Sequence, residues 1–194
     1  MEDAVAAALR GELIVLPTDT VYGIGTRPDR AEATAALFAA KARPRSLELP
    51  VLAPSIAAVA RIANLDARAH RLAAVLWPGG LTLVLPRTDL SLPWDLGGDV
   101  ETIGVRVPDH QLALAVLAGT GPLAVTSANR SGSPTPSGCE ELDALFGEAV
   151  SVYLCEEGLL SGAASTVVDL AHGEPVILRS GVVDEQTISR VLAG

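Results

Sequence analysis

Hydroxyls, an amide and arginines recur at the ends of short apolar runs in this 194-residue sequence. Thr18-Asp19-Thr20 follows Leu13 to Leu16, and Arg106 stands near the end of Thr102 to Val107. Thr126-Ser127-Ala128-Asn129 follows Leu123 to Val125, and Arg179-Ser180-Gly181 follows Val176 to Leu178. In open α/β sheets, ligands gather outside strand ends. These groups include no nucleophile–base pair. They suit positioning and charge neutralisation, as an anionic ligand such as a nucleoside triphosphate requires. Each also has a plain structural reading. Thr and Asp after a strand shape turns, Ser127 and Asn129 suit caps, and Lys41 and Arg43 after a helix complement its dipole. Singly none decides the matter; together they point to a site.

Other chemistries find no support. The sequence has no Gly-x-x-x-x-Gly-Lys-Ser/Thr, no Gly-x-Ser-x-Gly and no His-Glu-x-x-His. Gly23-Ile24-Gly25 lacks the third glycine of a dinucleotide fingerprint. His70, His110 and His172 are scattered, which leaves a Ser–His–Asp hydrolase without its base. A net charge of −9 argues against a broad nucleic-acid-binding surface. Two cysteines, Cys139 and Cys155, are too few for a disulfide scaffold and fit a reducing cytoplasm. No signal peptide or membrane span is evident.

The elements that must position these residues follow from apolar runs and their breakers. Helices are expected over residues 3–10, 29–40, 55–63, 66–77, 108–118, 140–146 and 184–192. Strands are expected over 13–16, 50–53, 81–85, 102–107, 123–126, 150–154, 166–170 and 176–178. Ser55 and Asp66 supply caps, and Pro44 and Pro78-Gly79-Gly80 break the chain. Residues 86–100 read as a long loop, and 127–138 as a polar loop long enough to be functional. Hydrophobic residues make up 49% and aromatics only 3%, so the core is built of Ala, Val and Leu. Interleaved helices and short strands give an α/β domain, read as a single unit over residues 1–194.

Seven segments in order carry a resemblance. They are Pro17-Thr18-Asp19-Thr20-Val21-Tyr22-Gly23, Lys41-x-Arg43-Pro44 and Trp77-Pro78-Gly79-Gly80-Leu81-Thr82. Then come Gly104-Val105-Arg106-Val107-Pro108, Thr126-Ser127-Ala128-Asn129-Arg130-Ser131-Gly132, Ser165-Thr166-Val167-Val168-Asp169 and Ile177-Leu178-Arg179-x-Gly181. The sequence resembles the YrdC-like L-threonylcarbamoyladenylate synthases in their short form. The resemblance implies a three-layer α/β fold with a twisted mixed β-sheet flanked by helices and a concave basic cleft. It also implies condensation of L-threonine, bicarbonate or CO2, and ATP to threonylcarbamoyl-AMP and pyrophosphate. Mg2+ would come with ATP, with no tightly bound organic cofactor. A downstream tRNA threonylcarbamoyl transferase would take the product, and tRNA itself would bind weakly or transiently.

By the same resemblance, Thr20, Arg106, Val125 and Ser165 hold threonine. Lys41, Arg43, Thr102, Ser127, Asn129, Thr135 and Arg179 hold ATP, and the metal ligands are not assigned. Residues 128–138 and 156–165 are candidates for closing the cleft. One departure stands out: Leu47 occupies the place of an ATP-contacting lysine, and Glu48 that of a proline. A lost cation and an added anion beside the phosphates would weaken ATP binding, with Arg45 as a substitute cation. Two other readings remain: a member that binds RNA or nucleotide without this catalysis, and a carbamoyl-transfer relative with another acceptor.

Overall fold

The computed structural model describes residues 1–156 and 162–194. Its strands are β1 (Ile14–Leu16), β2 (Gly23–Thr26), β3 (Val51–Leu52), β4 (Leu81–Pro86), β5 (Thr102–Arg106), β6 (Leu123–Ser127), β7 (Val152–Tyr153), β8 (Thr166–Asp169) and β9 (Val176–Arg179). They form one mixed sheet in the order β7-β1-β2-β6-β3-β5-β4-β8-β9. Its helices are α1 (Glu2–Arg10), α2 (Ala31–Lys41), α3 (Ile56–Ile62), α4 (Ala67–Leu76), α5 (Gln111–Thr120), α6 (Cys139–Phe146) and α7 (Glu185–Ala193). Ser55 and Asp66 accept from the backbone N–H groups of Ala58 and Ala69, as the sequence leads one to expect of N-caps.

The sheet divides the core in two. Val15, Ile24, Val51, Leu83 and Val105 point to one face, where they meet Leu37, Phe38, Val59, Leu72 and Ile188. Ile14, Leu16, Leu52, Leu123 and Val125 point to the other, where they meet Ala4, Ala7 and Ala8 of α1 and Ala113, Val116 and Leu117 of α5. Alternation along each strand makes this division. Helices lie on both faces, giving the expected layers.

β2 is the element that sequence reading missed, because Gly-Ile-Gly-Thr has poor strand propensity. Its glycines face β6 at close range. A Cβ on Gly23 or Gly25 would stand 2.6 Å from a Val125 methyl. The strand therefore forms because the glycines admit Val125, and Gly23–Ser127 and Gly25–Val125 are register pairs. The Cys139 and Cys155 side chains lie against each other, with Cα atoms 5.9 Å apart. No helix among the described residues is long and apolar enough to cross a membrane.

Candidate functional site

A cavity of about 350 Å³ opens on the α1/α5 face of the sheet. Its floor uses alternate residues of four strands: Leu52, Thr82, Arg106, and Val125 with Ser127. The site thus lies over a sheet face as well as at strand ends. Nine of the eleven residues expected at the site line it: Thr20, Arg43, Arg106, Val125, Ser127, Asn129, Thr135, Ser165 and Arg179. Lys41 and Thr102 do not.

Arg106 is the best-anchored cation. Its side chain is 7% exposed, and burial holds its guanidinium below the usual arginine range. Nε donates to the Gly79 carbonyl at 2.9 Å, Nη1 to Thr20 Oγ1 at 2.9 Å, and Nη2 to Asp19 Oδ1 at 2.5 Å. A guanidinium has five N–H donors. One remains on each terminal nitrogen among the described contacts, a fork suited to a carboxylate. Asp19 also accepts from the Asp109 backbone N–H at 3.0 Å, tying the Thr18–Thr20 turn to the chain entering α5. Asp19 lies in a segment the sequence singled out, but its part in holding Arg106 was missed; only folding brings positions 19 and 106 together. Thr18 donates to the Val21 carbonyl at 2.7 Å, which leaves Thr20 to donate across the 2.9 Å contact to Thr18.

On the opposite wall, Arg179 donates through Nε to the Ser165 carbonyl at 3.0 Å and through Nη2 to Ser165 Oγ at 2.9 Å. Gly181 makes this approach fit: a Cβ there would stand 2.3 Å from the Ala164 carbonyl oxygen. Arg43 donates to the Leu47 and Glu48 carbonyls at 3.2 and 2.8 Å. Burial lowers the pKa of both arginines, and Arg179 further lowers that of Arg43.

Lys41 corrects an expectation. It is buried, and Nζ donates to the Ser127 carbonyl at 2.5 Å, the Asn129 carbonyl at 2.6 Å and Asn129 Oδ1 at 2.9 Å. Its charge is spent on shaping the 127–135 loop from behind the wall, and burial pushes its pKa down to about 8. Thr102 is also buried, at the start of β5 away from the cavity, where its carbonyl accepts from Arg87 Nε at 2.6 Å. Its side chain shares a sheet face with Arg106, four residues on, but the cavity ends before it.

The departure at positions 47 and 48 also reads differently in three dimensions. Neither residue lines the cavity. Glu48 turns inward, with Oε1 3.6 Å from Arg87 Nη2. That is a charge pair too long for a hydrogen bond, and Oε1 has no hydrogen-bond partner. Burial pushes the Glu48 carboxyl up to about 7. Its charge is therefore not set beside the cavity as expected. Arg45 does not reach in as a substitute: it pairs with Asp95 at 2.6 Å and stands over the Phe38 ring. Of the two candidate closing segments, 128–138 contributes Asn129, Ser133, Pro134 and Thr135 to the wall. Residues 157–161 of the other lie outside the described residues, while Gly162, Ala164 and Ser165 line the cavity.

Among the described residues no Asp or Glu lines the cavity, and no group of three His, Cys, Asp or Glu side chains could hold a metal ion.

The family profile Sua5_yciO_yrdC, described as "Telomere recombination", matches residues 6–181. A protein of Mycobacterium leprae is 42% identical over 190 residues, covering 97% of this chain and 86% of that protein. The threonylcarbamoyl-AMP synthase of Chromohalobacter salexigens is 39% identical over 176 residues, covering 89% and 93%. Among solved structures, P. abyssi Sua5 complexed with L-threonine superposes with a TM-score of 0.88 at 32% identity, over 97% of this chain. This chain spans 56% of the length of that one.

Proposed function

The chain belongs to the Sua5/YciO/YrdC family, and on that premise we propose that it is an L-threonylcarbamoyladenylate synthase. It condenses L-threonine, bicarbonate or CO2, and ATP, releasing pyrophosphate. The observation that carries this reading is Arg106: a buried guanidinium with two N–H donors left over, at the wall of a cavity that also holds Arg43 and Arg179. The threonine-bound relative supports the choice of amino acid.

The amino-acid carboxylate takes the Arg106 fork, beside Thr20. The free amine captures CO2 as a carbamate, and a carbamate oxygen attacks the α-phosphate of ATP in line with the departing pyrophosphate. Both reactants are anionic. Arg43 and Arg179 at the cavity wall lower that repulsion, and their fixed orientation means little rearrangement during the step. Ser127, Asn129 and Thr135 offer polar contacts to the nucleotide, on a loop that Lys41 holds in shape. No side-chain nucleophile is needed, so proximity and charge supply the gain.

The described cavity residues do not fit a resident Mg2+ site, because Mg2+ prefers carboxylates and phosphates and none of these residues is a carboxylate. Mg2+ enters with the triphosphate as part of the substrate. The product serves tRNA threonylcarbamoyladenosine formation in the cytoplasm through a separate transferase.

The test is pyrophosphate release from ATP with Mg2+, bicarbonate and a panel of amino acids. Release that requires both threonine and bicarbonate is expected. Release indifferent to threonine sinks the reading.

A further inference from the structure

Thr82 is the one polar side chain in the apolar run Leu81 to Leu85, and sequence reading gave it no role. It is 6% exposed and lines the cavity. The β4–β5 register runs through the Leu83–Val105 pair, so one step further sets Thr82 opposite Arg106 on the neighbouring strand. Thr82 Cγ2 lies 3.7 Å from where a Cβ on Gly104 would stand, two residues before Arg106 on the same face. Directly opposed residues of an antiparallel pair have Cβ atoms about 4.5–5.5 Å apart. Thr82 and the Arg106 fork therefore open onto the same part of one cavity, where an amino acid held by its carboxylate can turn its Cβ substituents towards Thr82.

Proton counting gives this position a chemistry. Thr82 Oγ1 and Ser165 Oγ are 2.9 Å apart, and Ser165 Oγ already accepts from Arg179 Nη2. Arginine only donates. The two hydroxyls hold two protons, of which one fills the contact between them. The other has no acceptor among the described contacts. If Ser165 donates to Thr82, the spare O–H is on Thr82. If Thr82 donates to Ser165, the spare O–H is on Ser165. Both residues line the cavity, so in either arrangement the pair offers one O–H donor to a ligand.

We propose that Thr82, paired with Ser165, reads the β-hydroxyl of the amino-acid substrate and is a specificity-determining residue. This inference rests on the synthase reading and deepens it. The β-hydroxyl oxygen accepts the spare O–H, while the β-methyl meets the apolar part of the wall, which includes Leu52 and Val125. Valine and 2-aminobutyrate fill similar space but bring no acceptor. They leave a buried donor unpaired, which discriminates more strongly than a missing methyl group.

The experiment measures kcat/KM for pyrophosphate release at saturating ATP and bicarbonate. The substrates are L-threonine, L-serine, L-2-aminobutyrate and L-valine. The proteins are wild type, Thr82→Val, Thr82→Ser and Ser165→Ala, with thermal midpoints measured alongside. The wild type should favour threonine over valine by about 100-fold or more. Thr82→Val should lower that ratio at least tenfold, through the KM for threonine, with kcat and the KM for ATP within about threefold. Thr82→Ser should keep the threonine-to-valine ratio, and so should Ser165→Ala, which weakens threonine binding but leaves Thr82 its own O–H to donate.

A wild type that uses valine as readily as threonine overturns the inference even if every variant is unstable. So does a folded Thr82→Val protein with the wild-type ratio. Equal weakening towards all four amino acids also overturns it, because the spare proton would then serve the shared carboxylate. Threonine-dependent turnover with an unchanged ratio sinks this inference alone. A wild type with no amino-acid-dependent turnover sinks the synthase reading, and this inference with it.

Discussion

The two walls of the cavity are built differently. On the wall proposed for the amino acid, Thr20, Thr82, Arg106, Val125 and Ser165 are all buried, and Arg106 is held by two side chains and one carbonyl. On the wall proposed for the nucleotide, Arg43, Ser127, Asn129 and Thr135 are half-buried and Arg179 is more open, its guanidinium partly covered. Among the described contacts Arg43 is held there by main-chain carbonyls, whereas Arg179 also reaches the Ser165 hydroxyl. The buried wall is a fixed template that discriminates by geometry. The open wall presents charge to a larger, flexible ligand. Burial makes errors costly on the first wall, while water blunts them on the second.

Arg106→Ala should break the first wall most completely. It removes the carboxylate fork and leaves Asp19 without its partner. About 100-fold or more should be lost in kcat/KM for threonine, together with about 3 kcal/mol of stability measured by denaturant unfolding. Unchanged threonine kinetics would show that the template is elsewhere. Lys41→Met tests the support of the open wall, since three oxygens of Ser127 and Asn129 lose a charged donor, and the Asn129 carbonyl keeps no other among the described contacts. Stability should fall by about 2–4 kcal/mol and the KM for ATP should rise.

Glu48→Gln tests whether the departure near the open wall concerns stability and not phosphate binding. The carboxyl titrates near 7 when folded, against a usual 4.5. Between those values the folded protein keeps a proton that the unfolded chain has released. The stability Glu48 contributes is therefore full below about 4.5 and lost as pH rises through 7. The raised value already includes the pull of Arg87, so Glu48→Gln should be the more stable protein at pH 8, by about 2–3 kcal/mol at most. The difference between the two proteins should vanish by pH 4, with the KM for ATP unchanged throughout.

Asp19→Asn keeps an acceptor for Arg106 and for the Asp109 N–H but removes the charge. The KM for threonine should rise by about tenfold, a charge-assisted contact becoming a neutral one, with less effect on the KM for ATP. Leu47→Lys should have the smallest effect. Leu47 is 46% exposed and off the cavity wall, so a lysine there should improve ATP affinity by no more than about fivefold at low salt, and less at high salt.

The sequence by itself determined the helices, because their caps and apolar spacing are local, and it determined eight of the nine strands, because short apolar runs stand out between Pro and Gly breakers. Its hydroxyls and arginines at the ends of apolar runs also marked most of the residues that line the cavity. The tertiary structure decided the rest. It made a strand of Gly23–Thr26, since only packing against Val125 rewards those glycines. It turned Lys41 into the loop behind the cavity wall, and it turned Glu48 towards Arg87. It joined Asp19 to Arg106 across 87 positions and Thr82 to Ser165 across 83. A local pattern fixes which residues can do chemistry. The direction in which a buried charge or hydroxyl spends its hydrogen bonds depends on partners that are near only in the folded chain.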